Sequence, residues 1–143
     1  MVDIECERCE TVLNDNFKIT KCSYPEKGKP GDNIKITVKV KCLNSFFAGD
    51  VRVCLYHKDT LIGTSQQVTI QPGFSKTFTF GLIMPDNDVT LNVSLLGQNV
   101  FAYDCEDFKD IYIQKSTYTS PSNGDSLLLI AAVIALLVYM ESR

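Results

Sequence analysis

Strict alternation of apolar and polar residues predicts a β-strand over residues 33–42, whose sequence is NIKITVKVKC. Its four β-branched apolar residues fall on one face, and three lysines and a threonine fall on the other. A period of two residues over this length is typical of a half-buried strand. The pattern recurs at residues 50–57 and 88–95, where Val89, Val93 and their neighbours of the same parity are predicted to point inward, and Asn92 and Ser94 outward.

Shorter apolar runs predict the remaining strands, and Pro-Gly pairs at Pro30 and Pro72 mark turns between them. No helical period is present before residue 126. Short strands at intervals of about ten residues predict an all-β, Ig-like β-sandwich of seven or eight antiparallel strands, with a closed barrel as the rival. The shorter strands are predicted at residues 17–22, 61–62, 65–70, 76–82, 100–103 and 108–113.

The end of the chain has a different composition. Residues 115–125, KSTYTSPSNGD, are polar and predict a linker, and residues 127–140 form an unbroken apolar run. We predict a transmembrane helix over 126–140 and a short tail at 141–143, although the run reaches only about 21 Å against a hydrocarbon core of about 30 Å. A helix buried between subunits is the alternative. The anchor residues are Leu127, Leu128, Leu129, Ile130, Val133, Ile134, Leu136, Leu137, Val138 and Tyr139.

Residues 19–97 resemble the CARDB-type, cell-adhesion-related Ig-like modules of archaeal and bacterial envelope proteins. The resemblance lies in KPGDNIKITVKVK, GDVRVCLYHKDTLIG and VTIQPGFSKTFTFGLIMPDNDVTLNVSL, where two PG turns and one MP turn each precede a strand. It implies an extracytoplasmic structural or adhesive module without catalysis. The family pattern has no counterpart for the cysteine-containing segment at residues 1–16, and it often carries Asn where Cys42 stands. The sandwich domain is assigned to residues 17–114.

Composition and motifs narrow the class of function. The formal net charge of −3 arises from 14 basic and 17 acidic residues mixed along the chain, so no nucleic-acid partner is predicted. The chain contains none of the GxSxG, HExxH, Walker or GxGxxG motifs, and His57 has neither a nucleophile nor an orienting carboxylate in a recognisable motif. We therefore predict a protein that is not an enzyme and that needs no cofactor.

The six cysteines are candidates for disulfide bonds: Cys6, Cys9, Cys22, Cys42, Cys54 and Cys105. Chain position suggests Cys42 with Cys54 and Cys22 with Cys105, though many pairings are open. The CERC spacing of Cys6 and Cys9 also allows a structural zinc site with Cys22 as a further ligand.

Three weaker signals concern loops and modification. Phe46 and Phe47 form an apolar pair in a loop, which predicts either a contact surface or a cap on the core. Asn92 begins an N-glycosylation sequon. The turn at residues 86–88, DND, could bind calcium or simply be a turn.

The N-terminus, MVDIECERCE, has no basic region followed by an apolar stretch, so it does not read as a secretory signal. A C-terminal anchor without a leader leaves the domain on the side of the membrane where it is made. We therefore predict a structural protein that joins a membrane to other structural proteins or to copies of itself, with a virion as the preferred setting. The alternatives are an exported cell-surface adhesion or ligand-binding module and a zinc-stabilised intracellular interaction domain.

Overall fold

The computed structural model describes residues 3–98 and 103–116, which form nine β-strands arranged in two sheets. Two separate sheets confirm the predicted all-β sandwich and exclude the closed barrel. The strands are β1 (Phe17–Ser23), β2 (Lys27–Gly28), β3 (Asn33–Cys42), β4 (Gly49–His57), β5 (Thr60–Thr64), β6 (Val68–Ile70), β7 (Ser75–Ile83), β8 (Val89–Gln98) and β9 (Tyr103–Lys115).

The smaller sheet has the order β1-β3-β7 and is antiparallel throughout. Its central strand, β3, has the predicted bounds, and Ile34, Ile36, Val38 and Val40 are all buried. The alternation therefore reports one face packed on a core and one face in solvent, as a strand of a two-layer sandwich requires.

The larger sheet has the order β2-β9-β8-β4-β5, with β6 also paired to β4. It differs from the prediction in two ways. Two final strands were predicted, at 100–103 and 108–113, but the described residues form one strand, β9, which continues through residues 104–107. A β-bulge in β9 opposite Leu95 and Leu96 accommodates the extra residue. Residues 99–102 lie outside the described part. The two-residue β2 pairs in parallel with β9, so this sheet is mixed.

The main core lies between the two sheets. It is built from the inward-facing aliphatic residues of β3, β4 and β8, closed by Phe17, Phe78 and Phe80. Phe17 packs where two strands carry glycine: a Cβ at Gly49 or at Gly97 would lie 2.6 Å and 2.8 Å, respectively, from atoms of its ring.

A second apolar cluster lies on the opposite face of the larger sheet. Residues 3–16, which we call the strap, have no strand of their own and run across β4, β8 and β9, burying Ile4 and Cys9 against Tyr56 and Leu96. The larger sheet is therefore buried on both faces along β8 and most of β4. The prediction that Asn92 and Ser94 face solvent is wrong, because the strap covers them: they are 3% and 0% exposed.

The predicted linker beyond residue 116 and the predicted helix at 126–140 lie outside the described residues. Within the described part, no helix is long and apolar enough to cross a membrane.

Candidate functional site

Two disulfides fasten the strap to the larger sheet. Cys6 is bonded to Cys54 on β4, and Cys9 is bonded to Cys105 on β9. The pairs suggested by chain position, Cys42 with Cys54 and Cys22 with Cys105, are therefore wrong. Cys54 and Cys105 point to the outer face of their sheet, where the strap rather than another strand meets them.

The remaining thiols and the zinc alternative follow from this pairing. Cys22 is half-buried and Cys42 is buried, and both are free. Burial raises the pKa of the Cys22 thiol, an effect that the charge of Lys109 opposes. Since Cys6 and Cys9 are bonded to other cysteines, they cannot serve with Cys22 as zinc thiolates, and no group of three potential ligands lies together within the described residues.

Asn92 helps to hold the strap instead of presenting a glycan site. Its Nδ2 donates to the Cys9 carbonyl at 3.1 Å and to Asp110 Oδ1 at 3.2 Å. Ser94 Oγ accepts from the Cys9 amide at 2.8 Å. The nitrogen that would carry a glycan is thus buried and hydrogen-bonded, so the predicted glycosylation does not fit the folded chain.

The β3–β4 loop presents two exposed phenylalanines at one end of the sandwich. Asn44 accepts hydrogen bonds through Oδ1 from the amides of Phe46 at 2.7 Å and Phe47 at 2.9 Å, an Asx-type turn that orders the loop. The buried Cys42 thiol lies beneath it, 3.7 Å from the Phe47 carbonyl oxygen. Phe46 is 84% exposed and Phe47 is 72% exposed, so neither caps the core.

The neighbouring β6–β7 turn adds a third phenylalanine to the same end. Gly73 adopts φ +78°, a left-handed conformation that suits glycine, and its amide donates to the Cys42 carbonyl at 3.0 Å. The Cys42 amide in turn donates to the carbonyl of Phe74, whose side chain is 68% exposed. We call Leu43, Phe46, Phe47 and Phe74 the aromatic tip.

Two concave surfaces adjoin the loops of the aromatic tip. One, of about 430 Å³, is lined by Asn16, Phe47, Asp50 and Gln98 among others. The other, of about 410 Å³, lies between the β3–β4 loop and the Pro72-Gly73 turn. Exposed aromatic side chains beside concave surfaces are a shape that a protein partner can enclose.

The other predicted candidates lie at the opposite end of the sandwich. His57 ends β4 and is half-exposed. Asp86 pairs with Lys115 Nζ at 2.7 Å, and Asp88 accepts from the Tyr112 hydroxyl and the Lys115 amide, both at 2.7 Å. The Tyr112 hydrogen bond, then that of the Lys115 amide, holds the pKa of Asp88 below its usual value. The acidic turn therefore fastens the end of β9.

Glu106 is a buried acid that sequence reasoning missed. It is 2% exposed, and its Oε1 accepts from the amides of Asn16 at 2.8 Å and Phe17 at 3.2 Å, where the strap enters β1. Its Oε2 has no partner among the described residues. Burial, with the nearby charges of Asp104 and Asp15, raises the pKa of Glu106 to about 7 despite the two amides.

This raised pKa predicts a pH-dependent stability. The pKa of this carboxyl is about 4.5 in the unfolded chain and about 7 in the folded one, so the stabilising contribution is complete below pH 4.5 and is lost as pH rises through 7. We expect the free energy of unfolding to fall by about 1 to 3 kcal/mol between pH 5 and pH 8. Urea unfolding should show that Glu106→Gln removes this slope, whereas Glu5→Gln, an exposed control on the strap, retains it.

Comparison with known proteins bears on the fold. No protein-family model matches the chain, and neither does any curated protein sequence. The CARDB domain of a Pyrococcus furiosus protein, in complex with di-metal ions, superposes with a TM-score of 0.56 at 16% identity, covering 73% of this chain and 96% of that one. The C-terminal domain of wzt gives a TM-score of 0.55 at 12% identity, covering 74% and 77%.

The described residues therefore share the β-sandwich fold of that CARDB domain, which is the fold that the turn pattern predicted. At these identities the likeness concerns the fold alone. A β-glucosidase from Listeria innocua also matches, at a TM-score of 0.45 and 18% identity, but over only 16% of its own chain, so no activity is inferred from it.

Proposed function

We propose that this protein is a non-enzymatic interaction module that binds a protein partner through its aromatic tip while its C-terminal apolar run holds it at a membrane. The exposure of Phe46, Phe47 and Phe74 at one end of the sandwich carries the proposal. Buried aromatic anchors supply most of the binding energy in protein interfaces, whereas an isolated domain gains nothing by holding three phenylalanines in water.

The position of the tip relative to the end of β9 supports this arrangement. The amide of Ser116 donates to Gly28 at the end where β3 begins, and the tip follows Cys42, where β3 ends. A ten-residue strand spans about 30 Å, so the tip and the start of the linker lie at opposite ends of the domain. An anchor at residues 126–140 would thus leave the tip free to meet a partner.

The setting stays a sequence prediction. A virion is the setting we favour, and an exported cell-surface module is the second candidate. The two disulfides favour the exported module over the zinc-stabilised intracellular domain, because most cellular interiors keep thiols reduced.

Site-specific photo-cross-linking tests the proposed contact. A photoreactive phenylalanine analogue placed at Phe46 of the full chain should give one protein adduct of discrete mass when membranes of the producing cells are irradiated. The adduct should fall at least about tenfold when Phe47 and Phe74 are changed to serine, since hot-spot side chains contribute 2 kcal/mol or more.

The analogue at Tyr112, which is 53% exposed at the opposite end, is the matched control and should give no such adduct. Because Phe47 and Phe74 are exposed, the serine variants should keep the free energy of unfolding within about 0.5 kcal/mol. Equal labelling from positions 46 and 112, or adducts with lipid alone, would contradict the proposal.

A further inference from the structure

The outer face of the smaller sheet carries lysines and no acid. Strand pairing places Lys18 opposite Lys41 and Lys21 opposite Lys39, and Lys35 lies on the same face of β3. All five are exposed. We call these five residues the lysine face.

The strands that form this face contain no aspartate or glutamate anywhere along Phe17–Ser23, Asn33–Cys42 or Ser75–Ile83. Between the lysines lie small hydroxyl side chains, among them Thr37, Thr77 and Thr79. In the part of the chain that the structure describes, both ion pairs lie elsewhere, at Arg8 and at Lys115. Like charges directly opposite one another across paired strands destabilise a sheet, so the Lys18–Lys41 and Lys21–Lys39 pairs lower the stability of the domain.

The strap, on the other side of the molecule, is strongly acidic. The strap contains Asp3, Glu5, Glu7, Glu10 and Asp15 against one arginine, and it covers the far face of the larger sheet. Packed sheets are about 10 Å apart, and the Debye length at physiological salt is about 8 Å. A charged surface apposed to the smaller sheet therefore meets the lysines while the strap's charges are largely screened.

We infer that the lysine face docks on the anionic headgroups of a membrane surface. The face is a three-stranded sheet whose short intervening side chains let several lysines reach one plane at once. It has no exposed aromatic residue on which a nucleic-acid base could stack. The strap of a second copy is a poorer counterpart, because its acids are interrupted by Arg8 and share their side of the molecule with Arg52, which pairs with Leu96 beneath the strap.

The proposed tether favours this occupant. A coil of the length of residues 117–125 would span about 17 Å, so an inserted anchor would hold the domain within reach of the headgroups. Docking through the lysine face lays the long axis of the domain along the membrane and turns the aromatic tip toward neighbours on the same surface.

Acetylation of individual lysines in the full chain tests the docking. The protein is reconstituted with vesicles of phosphatidylcholine alone or with added phosphatidylglycerol, and an uncharged acetylating reagent is applied. Mass spectrometry should show Lys35, Lys39 and Lys41 reacting at least about threefold more slowly in the anionic vesicles, and salt that shortens the Debye length to about 3 Å should abolish the difference. Lys58, in the β4–β5 turn, serves as the internal reference.

Two variants of equal net charge separate docking from a general charge effect. Lys39→Glu with Lys41→Glu should remove the protection of Lys35, whereas Lys27→Glu with Lys29→Glu, at two exposed positions outside the lysine face, should retain it. Equal rates in both kinds of vesicle would overturn the inference. So would protection that appears without vesicles and grows with protein concentration, since a second copy would then cover the face. Flotation with phosphatidylcholine alone reports the anchor separately, so failure of the anchor and failure of docking are distinguishable.

Discussion

Replacing Cys9 and Cys105 together by alanine should lower the free energy of unfolding by about 4 to 5 kcal/mol. The bond closes a loop across a sequence separation of 96 residues, nearly the whole described chain, so its loss frees the unfolded chain more than loss of a local link would. Cys9 is also fully buried, and the strap beside it covers Asn92 and Ser94. If the strap detached, both residues would lose their hydrogen bonds to Cys9 and be exposed to solvent. Urea unfolding monitored by circular dichroism measures the change.

The matched comparisons are the second disulfide and a free thiol. Cys6→Ala with Cys54→Ala removes a loop of 48 residues and should cost about 4 kcal/mol, slightly less than the longer loop. Cys22→Ala, at a half-buried position without a disulfide, should cost much less than either pair. A loss below about 1 kcal/mol for the Cys9 and Cys105 pair would show that the strap is not fastened as described.

Phe17→Ala should destabilise the domain by about 3 to 5 kcal/mol, the range for removing a buried aromatic ring. The ring is 3% exposed and fills the space that Gly49 and Gly97 leave open. Phe46→Ala is the control with the same chemical change, and it should stay within about 0.5 kcal/mol because Phe46 is 84% exposed.

A double-mutant cycle can identify the cause of the loss. Gly97→Ala alone places a Cβ 2.8 Å from the Phe17 ring and 2.7 Å from Glu106 Cγ, and should cost about 1 to 3 kcal/mol. The double variant, Phe17→Ala with Gly97→Ala, should lose less free energy of unfolding than the two single variants lose together, because removal of the ring relieves one clash. Strict additivity in urea unfolding would mean that the ring and the glycine do not share this space.

The period of two residues correctly predicted the strands that have one buried face and one solvent-exposed face. The strand at Asn33–Cys42 is the clearest example, because its alternation directly records that environment. It failed at Asn92 and Ser94, where polar residues are buried by a segment that has no period of its own. A signal was present nonetheless: Cys54 and Tyr56 are apolar on the face of β4 opposite Val53 and Leu55, which indicates burial on both sides.

Only part of the candidate site could be predicted from the amino-acid sequence. Phe46 and Phe47 stand out as an apolar pair in a loop, but their exposure depends on Asn44 and on the path of the β6–β7 turn. The disulfide pairing could not be predicted, because it depends on where an irregular segment crosses a sheet. Glu106 also escaped notice, since an acid between other acids looks like an exposed bend until the β9 bulge places it beneath the strap's end.

The crossing of the strap also dictates an order of assembly. Cys9 leaves the ribosome before its partner Cys105, which follows 96 residues later, after strands β1 to β8 have been made. Any oxidation of Cys9 before that moment joins it to a wrong thiol, with Cys6 the nearest along the chain, and such a bond must be undone by thiol–disulfide exchange. The bond between the strap and β9 can thus form only after β4 and β8, the other strands that the strap crosses, have been made.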